Sequence, residues 1–304
     1  MKITLRILRI LTKLSLLAYV MAINLIFIIA FYVLVLNVIQ WIVPGLLSYL
    51  LHQYALARHL IDTLPLYLIL LYTAYSLSPL KVWMIRTGEG YTPLCGSDQK
   101  RVARLLEEMG VTRKLSLHGN YDAAPNAITV GFNTLGFTAG VLQTASDEEL
   151  KGIISHELGH LSHRDFIYDA LLFSMESLGR YCLYGLFFIP ALIFGFIGGI
   201  IAGLLGMEPL MEIIAEIWWG FYKLSHRIIY GISKIARVNI NKYGEYRCDA
   251  YAIRYNCGTG LLSFLRKMKA VEIACNERPT FTEYIMNTHP ATEKRIARLE
   301  KRLP

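Results

Sequence analysis

Near the middle of the chain two histidines flank a glutamate at helical spacing, His156-Glu157-Leu158-Gly159-His160. On a helix, residues i and i+4 project from one face, so the two imidazoles can hold a single Zn²⁺. Glu157 stands on the same turn, where it can take a proton from water activated by such an ion. Together these three residues could hydrolyse a peptide bond. In a chain of 304 residues a chance occurrence of this spacing is about a one-in-a-hundred event. The competing reading, two solvated surface histidines, has no such chemistry.

Catalytic zinc needs a third protein ligand and an open position for water. No HxxGxxH continuation follows, which excludes the metzincin arrangement. His163 lies one turn beyond His160, but three ligands on consecutive turns of one helix give poor tetrahedral geometry. Glu245 is the better candidate, within Tyr243-Gly-Glu-Tyr-Arg-Cys-Asp249. Glu245 and Asp249 are again i and i+4, so one carboxylate can bind metal while the other accepts the Nδ1–H of a ligating histidine.

The helix that must carry the motif is well signed. Ser146 and Glu149 have capping-box spacing, and Asp147 and Glu148 put acid in the first turn. Leu150, Ile153, Ile154, Leu158 and Leu161 recur at helical spacing and predict an amphipathic helix with one apolar face. Gly159 permits close approach of another backbone. Upstream, Gln99–Met109 reads as a helix capped by Ser97 or Asp98 and stopped by Gly110. Lys114–His118 reads as a strand with Gly119-Asn120 as its turn. Ala127–Gly131 and Gly136–Val141 suit a small hairpin.

Other segments belong in lipid. Asp, Glu, Lys and Arg are absent from Leu14 to Ala57, from Thr63 to Leu80 and from Tyr181 to Met207. A bilayer core takes about 20 apolar residues of helix, so each run predicts at least one span. The first run is too long for a cleaved signal and reads as a retained anchor. In Leu210–Ile235, Glu212, Glu216, Lys223, Arg227 and Lys234 fall in one narrow helical stripe. That segment either spans with its stripe facing the protein interior or lies in the interface; the first is favoured. Lys2, Arg6, Arg9 and Lys13 precede the first span, and Lys81 and Arg86 follow the second, which predicts cytoplasmic termini and soluble blocks. The net charge of +8 therefore reflects topology, and no nucleic-acid module accompanies it. Five cysteines without a CxxC pair read as reduced thiols.

Four stretches together resemble the HtpX-type membrane heat-shock metallopeptidases, a gluzincin family that also includes the CAAX prenyl proteases. They are Ala124-Pro-Asn-Ala127, Ser155–His160 through Asp165, Glu245–Asp249, and Thr288-His-Pro290 through Ile296. The resemblance implies His156, His160 and Glu245 as zinc ligands for one Zn²⁺ per chain. It implies Glu157 as base and Asp249 as partner to a ligand histidine. Asn126, His289 and Arg295 would hold the substrate backbone or the oxyanion. Read alone, Asn126 is a turn residue, His289 a helix cap and Arg295 a solvated charge. Cys248 departs from the Ala common at its position.

The expected fold is mostly α with a small β-sheet (α+β): about four transmembrane helices and a cytoplasmic gluzincin-like domain. Its divisions are 1–80 and 181–236 in the membrane, and 81–180 and 237–304 in the peptidase domain. The expected activity is zinc-dependent endoproteolysis of misfolded or membrane polypeptides at the cytoplasmic face of the cell membrane, with the lipid bilayer as the other partner and no nucleic acid. Processing of a lipid-modified C-terminus is the alternative within the class. A metal transporter would hold its motif inside a span, whereas charges flank this one.

Overall fold

The computed structural model describes residues 2–274 and 290–303. The chain divides into two compact units, 1–74 with 171–236, and 75–170 with 237–304.

The first unit is helical. It contains α1 (Lys2–Ile42), α2 (Leu46–Gln53), α3 (Ala55–Leu77), most of α8 (Asp165–Leu205) and the first part of α9 (Glu208–Arg254). Among the described residues three helices are long and apolar enough to cross a membrane, Leu17–Ile42, Ala55–Leu77 and Asp165–Leu205. Leu70, Leu71, Phe194 and Phe196 on these helices are exposed, which suits lipid and not water. Where α1, α8 and α9 meet, Asn24 is buried. Its amide donates to the Val20 carbonyl (2.7 Å) and its oxygen accepts from the Tyr230 hydroxyl (3.2 Å). A Cβ on Gly179 would fall 2.0 Å from Asn24 Oδ1, so only glycine admits this contact. The expected fourth span differs from the other three. Leu210–Ile235 is helical, but Glu212, Glu216, Lys223, Arg227 and Lys234 are all exposed, so the stripe does not face the protein interior as expected. Tyr230 and Ser233, on an adjacent stripe, are the buried polar residues there.

The second unit holds α4 (Pro79–Gly88), β1 (Thr92–Pro93), α5 (Gly96–Glu108), β2 (Ser116–Asn120), β3 (Ala127–Val130), β4 (Thr134–Thr138), α6 (Ala139–Thr144) and α7 (Asp147–His163). The end of α9, α10 (Gly258–Ala274) and α11 (Thr292–Glu300) complete it. The sheet order is β1-β2-β4-β3. The hairpin β3–β4 is antiparallel, β2 pairs β4 in parallel, and β1 pairs β2 antiparallel. Gly119 and Asn120 are therefore not a turn. They pair Phe137 and Thr138 as the end of β2, because a non-local ladder overrides local turn chemistry. Helix α5 starts at Gly96 with Cys95 as N-cap, two to three residues earlier than its sequence predicts. The second hairpin arm stops at Thr138, whose hydroxyl caps α6.

Val102, Leu105, Leu135, Phe137, Val141, Leu150 and Ile154 form the fully buried centre. Helix α7 starts at the predicted capping box, with both reciprocal bonds made. It is not amphipathic, however. Nearly every residue from Glu149 to Leu161 is buried, so polar and small positions also meet protein. Gly152 is pressed against α10, where an added Cβ would lie 2.2 Å from the Leu261 nitrogen.

Candidate metal centre

The predicted ligands meet. His156 and His160 stand edge-to-face on α7, with ring centroids 5.1 Å apart. From α9, Glu245 places Oε2 3.3 Å from His156 Nε2 and Oε1 3.6 Å from His160 Nε2. One ligand atom from each of the three residues lies within 4.8 Å of the others. Gly159 makes this possible, because a Cβ there would lie 3.0 Å from the Cys248 Cα on α9.

Each imidazole is held from behind by a carboxylate. Asp249 Oδ1 lies 3.0 Å from His156 Nδ1, and Asp165 Oδ2 lies 2.9 Å from His160 Nδ1. An ionised carboxylate only accepts, so each Nδ1–H donates to its carboxylate, and both Nε2 atoms face Glu245. Each carboxylate is backed by an arginine. Arg295 donates to Asp249 through Nη2 (2.6 Å) and Nε (3.1 Å), and its Nη1 lies 3.3 Å from Glu245 Oε2. Arg247 donates to Asp165. The turn between α7 and α8 places Asp165: Arg164 adopts the left-handed conformation (φ 55°) as C-cap of α7, and Asp165 opens α8.

Electrostatics favour a cation here. Burial and Arg295 oppose a charge on His156, yet its bonds to Asp249 and Glu245 outweigh them and raise its pKa to about 9. Burial likewise opposes protonation of His160, and the Asp165 bond leads the contributions that raise its pKa. Burial pushes the Asp249 carboxyl up, but His156 and Arg295 hold it below the usual carboxylate range. Two imidazole nitrogens and a buried carboxylate, each fixed by outer partners, form a donor set suited to a divalent metal.

The remaining residues divide. Glu157 is buried next to His156, and its Oε2 accepts from the Thr129 hydroxyl at 2.7 Å. Asn126 lines the same cleft, together with Ala127, Ile128 and Thr129 of β3 and Phe166 and Tyr168 of α8. Arg295 is packed between the Asp249 and Glu245 carboxylates and is not the solvated charge that its sequence context suggests. His163 stays apart, its Nδ1 3.8 Å from Cys248 Sγ. His289 lies outside the described residues. No role for Asp165, Arg247 or Thr129 follows from the sequence. The fixed spacing of Asp165 after His160 was the only signal for the first, and long-range contacts alone place the other two.

Comparison with known proteins agrees with this geometry. The chain matches Peptidase family M48 over residues 97–303. A protease HtpX homolog of Methylibium petroleiphilum is 26% identical over 225 residues, which cover 66% of this chain and 74% of the relative. A protease HtpX homolog of Ligilactobacillus salivarius is 25% identical over 236 residues, covering 64% and 71%. The crystal structure of S. mikatae Ste24p shares the fold with a TM-score of 0.53 over 90% of this chain and 67% of its own, at 14% identity. With the family matched over more than half its length, the chain belongs to peptidase family M48 and is a membrane metallopeptidase.

Proposed function

We propose that the chain is a zinc-dependent endopeptidase that cuts misfolded or membrane polypeptides at the cytoplasmic face of the cell membrane. The observation that carries this reading is the convergence of His156, His160 and Glu245 beside Glu157. Two imidazoles, one carboxylate and an open position suit Zn²⁺, which when bound would polarise the scissile carbonyl and acidify a water molecule. Glu157 accepts the proton of that water and returns it to the leaving amine nitrogen. Asp249 and Asp165 keep the imidazoles aimed. Arg295 neutralises Asp249 and Glu245 at the edge of the site, while Asn126 and His289 hold the substrate backbone, as the family resemblance implies. Strand β3 stands at the end of the sheet order and offers an extended peptide an edge to pair with.

The cleft supports the substrate class. Ile128, Phe166 and Tyr168 line it, and Phe132 packs edge-to-face on Phe166 while remaining exposed. Such a wall takes apolar side chains, which folded soluble proteins hide and misfolded or membrane proteins present. Basic residues flanking the first two spans support a cytoplasmic active site. The test uses full-length protein in proteoliposomes with unfolded casein and a folded control. Zinc-loaded wild type should cleave casein alone, a chelator should abolish this, and Glu157→Gln should keep zinc while losing turnover. Wild-type turnover by Glu157→Gln would refute the mechanism.

A further inference from the structure

We infer that Thr129 is a positioning residue for the base: its hydroxyl fixes one oxygen of the Glu157 carboxylate so that the other stays ready to accept the proton. The inference rests on the reading of Glu157 as base. Thr129 Oγ1 lies 2.7 Å from Glu157 Oε2 and 3.1 Å from the Glu157 carbonyl oxygen. A hydroxyl has a single proton for these two acceptors. The carboxylate is the closer and the charged one, so it forms the stronger bond. Among the described residues no other group donates to this carboxylate.

The need for such a tether follows from the side chain itself. The terminal torsion of glutamate is broad and nearly two-fold, so an untethered carboxylate samples many orientations. General-base catalysis requires an oxygen within hydrogen-bond reach of the proton it takes. Glu157 is only 8% exposed, so bulk water gives little help in orienting it. Thr129 can supply the constraint because its own backbone is fixed, paired with Leu135 of β4 in the hairpin. Ala127, Ile128 and Thr129 also line the cleft, so the proposed substrate-docking strand carries the tether.

The proton balance is simple. The oxygen of the attacking water bonds to the scissile carbonyl carbon as its O–H bond breaks, and the proton arrives on Glu157 Oε1. It later leaves for the amine nitrogen as the C–N bond breaks. The Thr129 proton remains on Oγ1 throughout.

A hydroxyl that merely satisfied a buried carboxylate would affect folding and not turnover. The test compares Thr129→Val, of the same shape without a donor, with Thr129→Ser, which keeps the hydroxyl. Full-length, zinc-loaded protein in detergent is assayed on an internally quenched apolar peptide, with zinc content and melting temperature measured alongside. A hydrogen bond to a charged group predicts a fall in kcat of roughly 10- to 100-fold for Thr129→Val. KM should stay within about twofold and zinc content should not change, while Thr129→Ser should stay within about threefold of wild type. On a Glu157→Gln background, Thr129→Val should cause no further loss, because both changes act through one group. Wild-type kcat in Thr129→Val, equal loss in Thr129→Ser, or multiplied losses in the double variant would overturn the inference. Wild-type turnover by Glu157→Gln alone would instead remove the base on which the inference rests, and that result is read independently of Thr129.

Discussion

Removal of Asp249 should disturb the proposed metal centre in two ways. His156 loses the carboxylate 3.0 Å from its Nδ1, and loss of such an orienting partner costs roughly 10- to 100-fold in metal affinity. Arg295 loses the two bonds it makes to Asp249, at 2.6 and 3.1 Å. Its side chain is only 11% exposed, and Glu245 Oε2 is already 3.3 Å away. The freed guanidinium then turns on Glu245, the one anionic residue of the proposed ligand set. At an effective dielectric of about 20, unit charges at that separation interact by about 5 kcal/mol. If about a quarter of this survives relaxation, ~1.3 kcal/mol, it weakens metal binding by roughly a further tenfold. Asp249→Ala should therefore bind zinc roughly 100- to 1000-fold more weakly than wild type. Arg295→Ala alone removes a positive charge from the ligand shell and should weaken binding little. The double variant Asp249→Ala/Arg295→Ala should recover about tenfold over Asp249→Ala. The assay is zinc content after equilibration with chelators of graded affinity, for all proteins in one detergent. A double variant that holds zinc no better than Asp249→Ala would refute the charge argument.

The other carboxylate should matter less. Arg247 is 38% exposed and can turn to water, so Asp165→Ala should show only the roughly 10- to 100-fold loss of an orienting partner; a loss exceeding that of Asp249→Ala would contradict this. Gly152→Ala gains about 1 kcal/mol in helix propensity, but its Cβ would meet the α10 backbone at 2.2 Å. Overpacking should win and lower the melting temperature by roughly 2–8 °C, while Gly220→Ala, with open space around it, should not lower it. Burial raises the Glu149 pKa, but Lys267, the Ser146 backbone and Ser263 hold it below its ordinary value of 4.5. Its contribution to stability is therefore present above pH 4.5 and lost as pH falls through the lower folded value. The difference in melting temperature between wild type and Glu149→Gln should shrink below pH 4.5 and stay constant from pH 6 to 8. A constant difference throughout would exclude the ion pair with Lys267 as its source.

Much of the centre was legible because its signals are local. The capping box at Ser146, the spacing of His156 and His160 and that of Glu245 and Asp249 each lie within a few residues of chain. The β3–β4 hairpin was legible for the same reason, with Phe132-Asn133 between its arms. What escaped was non-local. Gly119-Asn120 has turn chemistry, yet the parallel ladder to Phe137 and Thr138 makes it strand. Helix α7 looked amphipathic because Ser155, His156 and Glu157 are polar. In the fold His156 faces Glu245 and Glu157 faces Thr129, and Gly152 and Gly159 admit neighbouring helices. The periodicity of α9 located its charged stripe correctly, but periodicity does not say which stripe meets protein. Thr129, Asp165 and Arg247 carry no motif that predicts their partners, since distant chain segments bring them to the site.

A single zinc site formed by His156, His160 and Glu245 would make zinc content and turnover fall together. Both are measured on detergent-purified wild type, Glu245→Ala and His163→Ala through one chelator series, with casein as the substrate. Wild type and His163→Ala should hold one zinc per chain with full activity, and Glu245→Ala should lose both at the mildest chelator. A Glu245→Ala protein that keeps zinc while His163→Ala loses it would overturn the ligand assignment.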